Sequence, residues 1–127
     1  MSRMLRYLWA GPWTLVAAAL APVVALTGGR AVLRDGVLEL SGGILPSLLR
    51  RLPPGRVAAM TVGHAVLATD EAMLDWTRAH ERIHVGQYEQ WGPFFPLVYG
   101  LASWSAWRRG QHYYRDNRFE REARETG

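Results

Sequence analysis

The chain has 127 residues, 49% of them hydrophobic, with six tryptophans and a formal net charge of +4; a chain of that length builds one modest core and not two. Its basic residues are all arginine and it has no cysteine, which excludes disulfides, thiolate nucleophiles and Cys-ligated clusters, so any bound metal must take nitrogen and oxygen ligands. The arginines are scattered in pairs rather than gathered with aromatic residues on one stretch, and no nucleic-acid partner is expected.

Arg3 and Arg6 precede an uncharged apolar run from Tyr7 to Leu26, about the twenty residues needed to cross the hydrocarbon core as a helix. Trp9 and Trp13 suit a membrane interface, and Pro12 and Pro22 are tolerated in membrane segments. A signal peptide fits less well, because "LTGGR" is a poor small-x-small cleavage site. A buried core helix also fits less well, because apolar residues cover every face. Residues 1–29 are therefore read as a membrane anchor or membrane-embedded helix, and residues 30–127 as a metal-binding domain. Arginines flank the run on both sides (Arg3, Arg6; Arg30, Arg34), so charge bias does not orient it.

"RAVLRDGVLELSGG" predicts a β-hairpin, with Asp35-Gly36 as its type I′ turn. "ILPSLLRRLPPG" is a short amphipathic segment stopped by Pro53-Pro54. From Arg56 to Thr69 the chain is rich in Val, Ala and Thr and predicts a third strand of a small antiparallel sheet, bulged or closely approached at Gly63. His64 lies in that strand, where a histidine is usually structural; the sharper expectation is a substrate-facing position near the site.

Thr69 or Asp70 can cap a helix from about Glu71 to Trp91 that stops at Gly92-Pro93. On it His80 and His84 are four apart, so both imidazoles share one face and can act as adjacent ligands of one Zn²⁺. Glu81 projects about 100° away, beside the metal, where a carboxylate can take a proton from water and pass it to a leaving amine. This is the HExxH pattern of metallopeptidases. Met73, Trp76, Thr77, His80, His84, Gln87 and Trp91 make one stripe at helical spacing. A stripe with such large apolar members points inward, and buried histidines are costly unless paired or ligated.

A third ligand must come from elsewhere. "RRGQHYYRDNRFEREARE" offers His112, Glu120 and Glu122, the last two on a helix starting near Asp116-Asn117. The HExxH helix followed by a Glu-x-x-Ala helix resembles the gluzincin metallopeptidases, whose third zinc ligand is a glutamate three residues before a small residue. The resemblance places that role on Glu120, three before Ala123, with Glu122 and His112 as alternatives. Many gluzincins carry Asp after the small residue to orient a ligand histidine; this chain has Arg124, which leaves the orienting role to Gln87, Asn117 or Asp116. "HERIHVGQYEQWGPFFPLVYG" with "YRDNRFEREA" is also similar to an uncharacterised family of small bacterial membrane-associated HExxH proteins. That similarity implies an inner-membrane location and supports the metal site more than any substrate. Peptide deformylase, which shares HExxH, is excluded by the missing cysteine ligand.

Between the two ligand segments, Phe94 to Trp107 is short for a spanning helix and is read as a core helix packed on the HExxH helix, with an interfacial helix as the alternative. The expected whole is an α+β minimal zincin: apolar N-terminal helix, small antiparallel sheet, HExxH helix, hydrophobic return helix and Glu-bearing last helix. The expected activity is zinc-dependent hydrolysis of a peptide or protein substrate, with the strand from Val62 to Leu67 holding the substrate by edge pairing. Two alternatives stand beside it: a catalytically inactive zinc-binding accessory protein, its metal closed by His64 or His112, and a small membrane protein whose HExxH is accidental.

Overall fold

The computed structural model describes residues 2–52 and 57–126. Helix α1 (Arg3–Leu26) opens on Ser2, whose hydroxyl accepts from the Leu5 amide at 3.2 Å. By length and composition it is apolar enough to cross a membrane. Yet Ala10, Ala17 and Val24, at seven-residue spacing, form a buried stripe along it, and these small side chains let the helix lie close against the body.

Strands β1 (Arg30–Arg34) and β2 (Val37–Ser41) pair antiparallel. Asp35 and Gly36, at φ 53° and 77°, make the two-residue turn, and positive φ at both positions is what a type I′ turn requires. Helix α2 (Leu45–Arg50) follows. The Pro53-Pro54 stop and the Arg56 strand start fall outside the described residues.

The expected single third strand is two: β3 (Ala59–Val62) and β4 (Ala65–Ala68), antiparallel to each other. Gly63, at φ +61°, turns the chain instead of bulging it, and His64 sits in that turn rather than in a strand. The sheet is also mixed rather than antiparallel. Its order is β1-β2-β4-β3, with β4 running parallel to β2 from Leu38↔Ala65 to Ser41↔Ala68. Strand β4 is consequently central and buried on both faces, while β3 is an edge strand.

Strand alternation sorts the core into two layers. Leu40, Ala65 and Leu67 face α1 and α2, joining Ala17, Val24, Leu45 and Leu49. Val37, Val66 and Ala68 face the long helix α3 (Glu71–Trp91), meeting Leu74 and Val85. Asp70 caps α3 by accepting from the Met73 amide at 2.8 Å, and Gly92 at φ 63° ends it. Glu39, also on the α3 face, is buried under Arg78 (3.0 and 3.1 Å) and Arg82 (2.8 Å). Burial pushes its pKa up, but the two guanidiniums more than offset this and hold it below its ordinary value.

After a 3-10 turn at Gly92–Phe94, α4 (Phe95–Arg108) runs back, and α5 (Arg118–Thr126) completes the fold. Ala10, Tyr88, Phe95 and Phe119 join α1, α3, α4 and α5 in a third apolar cluster.

Candidate metal centre

Helix α3 does two jobs, and its burial pattern reflects both. One side lies on the sheet through Leu74 and Val85, while His84 and Gln87 turn toward α5. The inward stripe expected from periodicity holds at His84 and Gln87 but not at Trp76, which is 84% exposed. Helix α5 contacts α3 through Gln87, His84 and His80, one to three turns beyond Trp76, so that residue lacks a partner to bury it.

His80, Glu81 and His84 each bring a ligating atom within 4.8 Å of the others, and this group could hold a metal ion. Glu120 meets the two histidines from α5: its Oε1 lies 3.1 Å from His80 Nε2 and 3.0 Å from His84 Nε2. Tetrahedral nitrogen and oxygen ligands about 2.0–2.1 Å from a zinc ion stand about 3.3 Å from one another. These donors are therefore only a few tenths of an ångström closer than a shared cation would set them, and their chemistry suits one.

The neighbours of the group fix how it is presented. Gln87 Nε2 donates to the Phe119 carbonyl (3.1 Å) and to Glu122 Oε1 (2.8 Å). That orientation leaves Gln87 Oε1 to accept from His84 Nδ1 at 2.8 Å. The proton is thereby held on Nδ1, and Nε2 is the nitrogen presented to Glu120. Tyr99 on α4 donates its hydroxyl to Glu120 Oε2. Burial and the adjacent Glu120 charge push the Tyr99 pKa far up, so it remains a donor.

Electrostatics binds the group together. Burial pushes Glu120 up, but hydrogen bonds from His80 and His84 and the His84 charge hold it well below the usual carboxylate range. Burial pushes His84 down, but its bond to Glu120 outweighs this and raises it above the ordinary histidine value. Glu81, 4% exposed, is raised chiefly by burial, against the pull of His84 and His80. Its Oε2 accepts from Thr61 Oγ1 on β3 at 3.0 Å.

Glu81, His84 and Glu120 line one side of a cavity of about 270 Å³. Ala59, Met60 and Thr61 of β3 form another wall, and Phe95, Pro96 and Tyr99 of α4 a third. The strand expected to receive substrate, Val62 to Leu67, is displaced from this role. Most of it is β4, whose two edges are both paired, whereas β3 has β4 alone as strand partner among the described residues.

The other expected residues separate clearly. Asn117 is fully buried, touches neither histidine, and instead caps α5 by accepting from the Phe119 amide at 2.8 Å. Glu122 reaches Gln87 and not the imidazoles. His112 is occupied in its own turn, its Nδ1 accepting from the amides of Tyr114 (3.1 Å) and Arg115 (3.0 Å). His64 faces away from the cavity: it stacks on Tyr7 at 4.1 Å and pairs with Glu89 at 3.1 Å. Thr61 and Tyr114, both lining the cavity, were not marked by any motif; a threonine among strand valines and a doubled tyrosine in a loop carry no distinguishing signal. Comparison of the chain with protein-family models, with curated proteins and with solved structures gives no match.

Proposed function

We propose that this chain is a membrane-associated, zinc-dependent metallopeptidase of gluzincin type, with His80, His84 and Glu120 as the metal ligands and Glu81 as general base. One observation carries the reading: a single Glu120 oxygen stands 3.1 and 3.0 Å from the two Nε2 atoms of an HExxH pair, with the buried Glu81 beside them on a cavity. Zinc bound there would polarise a carbonyl and acidify water. The protein groups do the rest. An extended peptide adds to the edge of β3 that has no strand partner among the described residues, which brings its backbone along the cavity wall. Glu81, its affinity for protons raised by burial, takes one from the attacking water. As the water oxygen bonds to the carbonyl carbon and the C–N bond breaks, Glu81 delivers that proton to the leaving amine. Tyr99 donates to the distal oxygen of Glu120, so that Oε1 would be the oxygen available to hold a cation.

A second reading draws on the placement of Glu81 within the same 4.8 Å group as His80 and His84. If Glu81 ligates as well, four protein ligands close the site and the metal is structural, as in a catalytically inactive accessory protein. Metal analysis with X-ray absorption on the purified protein, set beside Glu81→Gln, separates the two. A peptidase retains metal in Glu81→Gln, loses hydrolysis by about 10²–10⁴-fold, and loses metal in His80→Ala and Glu120→Ala. Normal hydrolysis by Glu81→Gln overturns the mechanism; loss of metal in it favours the structural site.

A further inference from the structure

The exposed side of α1 carries Met4, Leu8, Leu15, Val16 and Leu26. Helix α4 is likewise two-faced. Phe95, Val98, Tyr99 and Ala102 turn to the core, while Leu97, Leu101, Trp104 and Trp107 are more than half exposed. Trp9 of α1 stands edge to face, at 5.9 Å, with Phe94 in the turn that leads into α4, and both are exposed. No charged residue occurs from Tyr7 to Gly29 or from Trp91 to Trp107. Contiguous apolar surface of this extent marks a membrane or partner site.

A bilayer-crossing α1 conflicts with how it is held. Tyr7 donates to the Gly36 carbonyl at 2.7 Å, Thr14 Oγ1 accepts from the His64 amide at 2.9 Å, and Val24 is buried against the sheet. The helix is fastened to the body for most of its length. Crossing the hydrocarbon would drag the sheet in with it, including Glu39 and its arginines, at several kcal/mol for each buried ion.

We infer that α1 and α4 together form a monotopic seat, laid into one leaflet of an anionic membrane rather than through it. Charge fits that occupant. Arg3 and Arg6 open α1, Arg108 and Arg109 close α4, and the Arg108 guanidinium lies 4.9 Å over the Trp104 ring. This places cations at headgroup level beside amphipathic aromatics. The inference is independent of the metal chemistry and refines only the membrane association.

The absence of cysteine makes single-cysteine variants of the full chain clean reporters. Arg6→Cys and Leu33→Cys flank the apolar run on exposed positions. In sealed membrane vesicles from the expressing cell, a membrane-impermeant maleimide should label both or neither. Labelling of one alone means that α1 spans, and overturns the seat while leaving membrane association intact. A nitroxide on Leu101→Cys should be relaxed by oxygen dissolved in lipid more than by an aqueous nickel chelate; the reverse overturns the role of α4. Leu101→Glu should weaken sedimentation with phosphatidylglycerol vesicles at least about tenfold, the scale of one buried leucine, with an unchanged circular dichroism spectrum. Wild type that ignores such vesicles but forms dimers lost in Leu101→Glu assigns the face to a second copy and refutes both membrane readings.

Discussion

Gln87 is the residue whose replacement tests the geometry most sharply. Gln87→Leu keeps the side-chain volume nearly constant and removes three hydrogen bonds: from His84 Nδ1 at 2.8 Å, to the Phe119 carbonyl at 3.1 Å and to Glu122 at 2.8 Å. Loss of an orienting partner of a ligand histidine weakens metal binding about 10–100-fold, or about 1.4–2.7 kcal/mol. One buried polar group is orphaned, the His84 Nδ1–H, at about 1–3 kcal/mol; the Phe119 carbonyl, within helix α5, keeps its place in the helical ladder. The added apolar burial of leucine offsets part of this, so a net loss of about 1 kcal/mol is expected. For a chain of this length that lowers the Tm by roughly 4 °C. Competition with a chelator of known affinity reads the first effect, and thermal melting of the metal-free protein the second. A folded Gln87→Leu variant that binds zinc within about threefold of wild type would refute the reasoning, since the ring would then be oriented by something else. Gln87→Glu should rescue only in part: it accepts from Nδ1, but it loses the donor to Phe119 and faces the Glu122 carboxylate.

Metal affinity should depend on pH in a defined direction. His84, raised above its ordinary value by Glu120, must give up its Nε2 proton to a cation, so apparent affinity should fall about tenfold per pH unit below the His84 pKa; isothermal titration at several pH values checks the slope. Glu39→Gln should cost about 3 kcal/mol, because it leaves Arg78 and Arg82 facing a neutral partner. The folded Glu39 pKa is depressed, so its contribution is complete above the unfolded carboxylate value and vanishes as pH falls through the folded one. Acid melts should therefore bring wild type and variant together. Gly63→Ala should destabilise by more than about 2 kcal/mol, since φ is +61° and a Cβ would stand 2.6 Å from the Thr14 nitrogen; an unchanged melting curve contradicts the close seating of α1.

Local signals carried much of the site. Asp70, the His80–His84 spacing and Gly92 define α3 within a single stretch, and the resemblance to gluzincins, rather than any local rule, pointed to Glu120 ahead of Glu122 and His112; Glu120 lies beside both imidazoles. What escaped depends on distant pairing. Parallel pairing of β2 with β4 joins segments more than twenty residues apart, and no composition rule marks it. Gly63 has the same letter whether it bulges a strand or turns one. Trp76 misled because hydrophobic periodicity shows which residues share a face and says nothing of how far the covering helix reaches. Nothing local marks Glu39, between two strand leucines, as buried; the arginines that close over it, Arg78 and Arg82, come from a distant helix.

Asn117 joins two helices that share no backbone ladder. Its Nδ2 donates to the Tyr99 carbonyl at 3.0 Å and to Ser103 Oγ at 2.7 Å on α4, while its Oδ1 holds the first turn of α5. Tyr99 then grips the Glu120 carboxylate from the same helix. The hydrophobic helix and the Glu120 carboxylate are thus mechanically one piece, pinned by an amide that water cannot reach. If the proposed membrane seat and metal site both hold, a lipid that tugs on the outer tryptophans would be felt at the histidines, and metal affinity would become a gauge of how the molecule is docked.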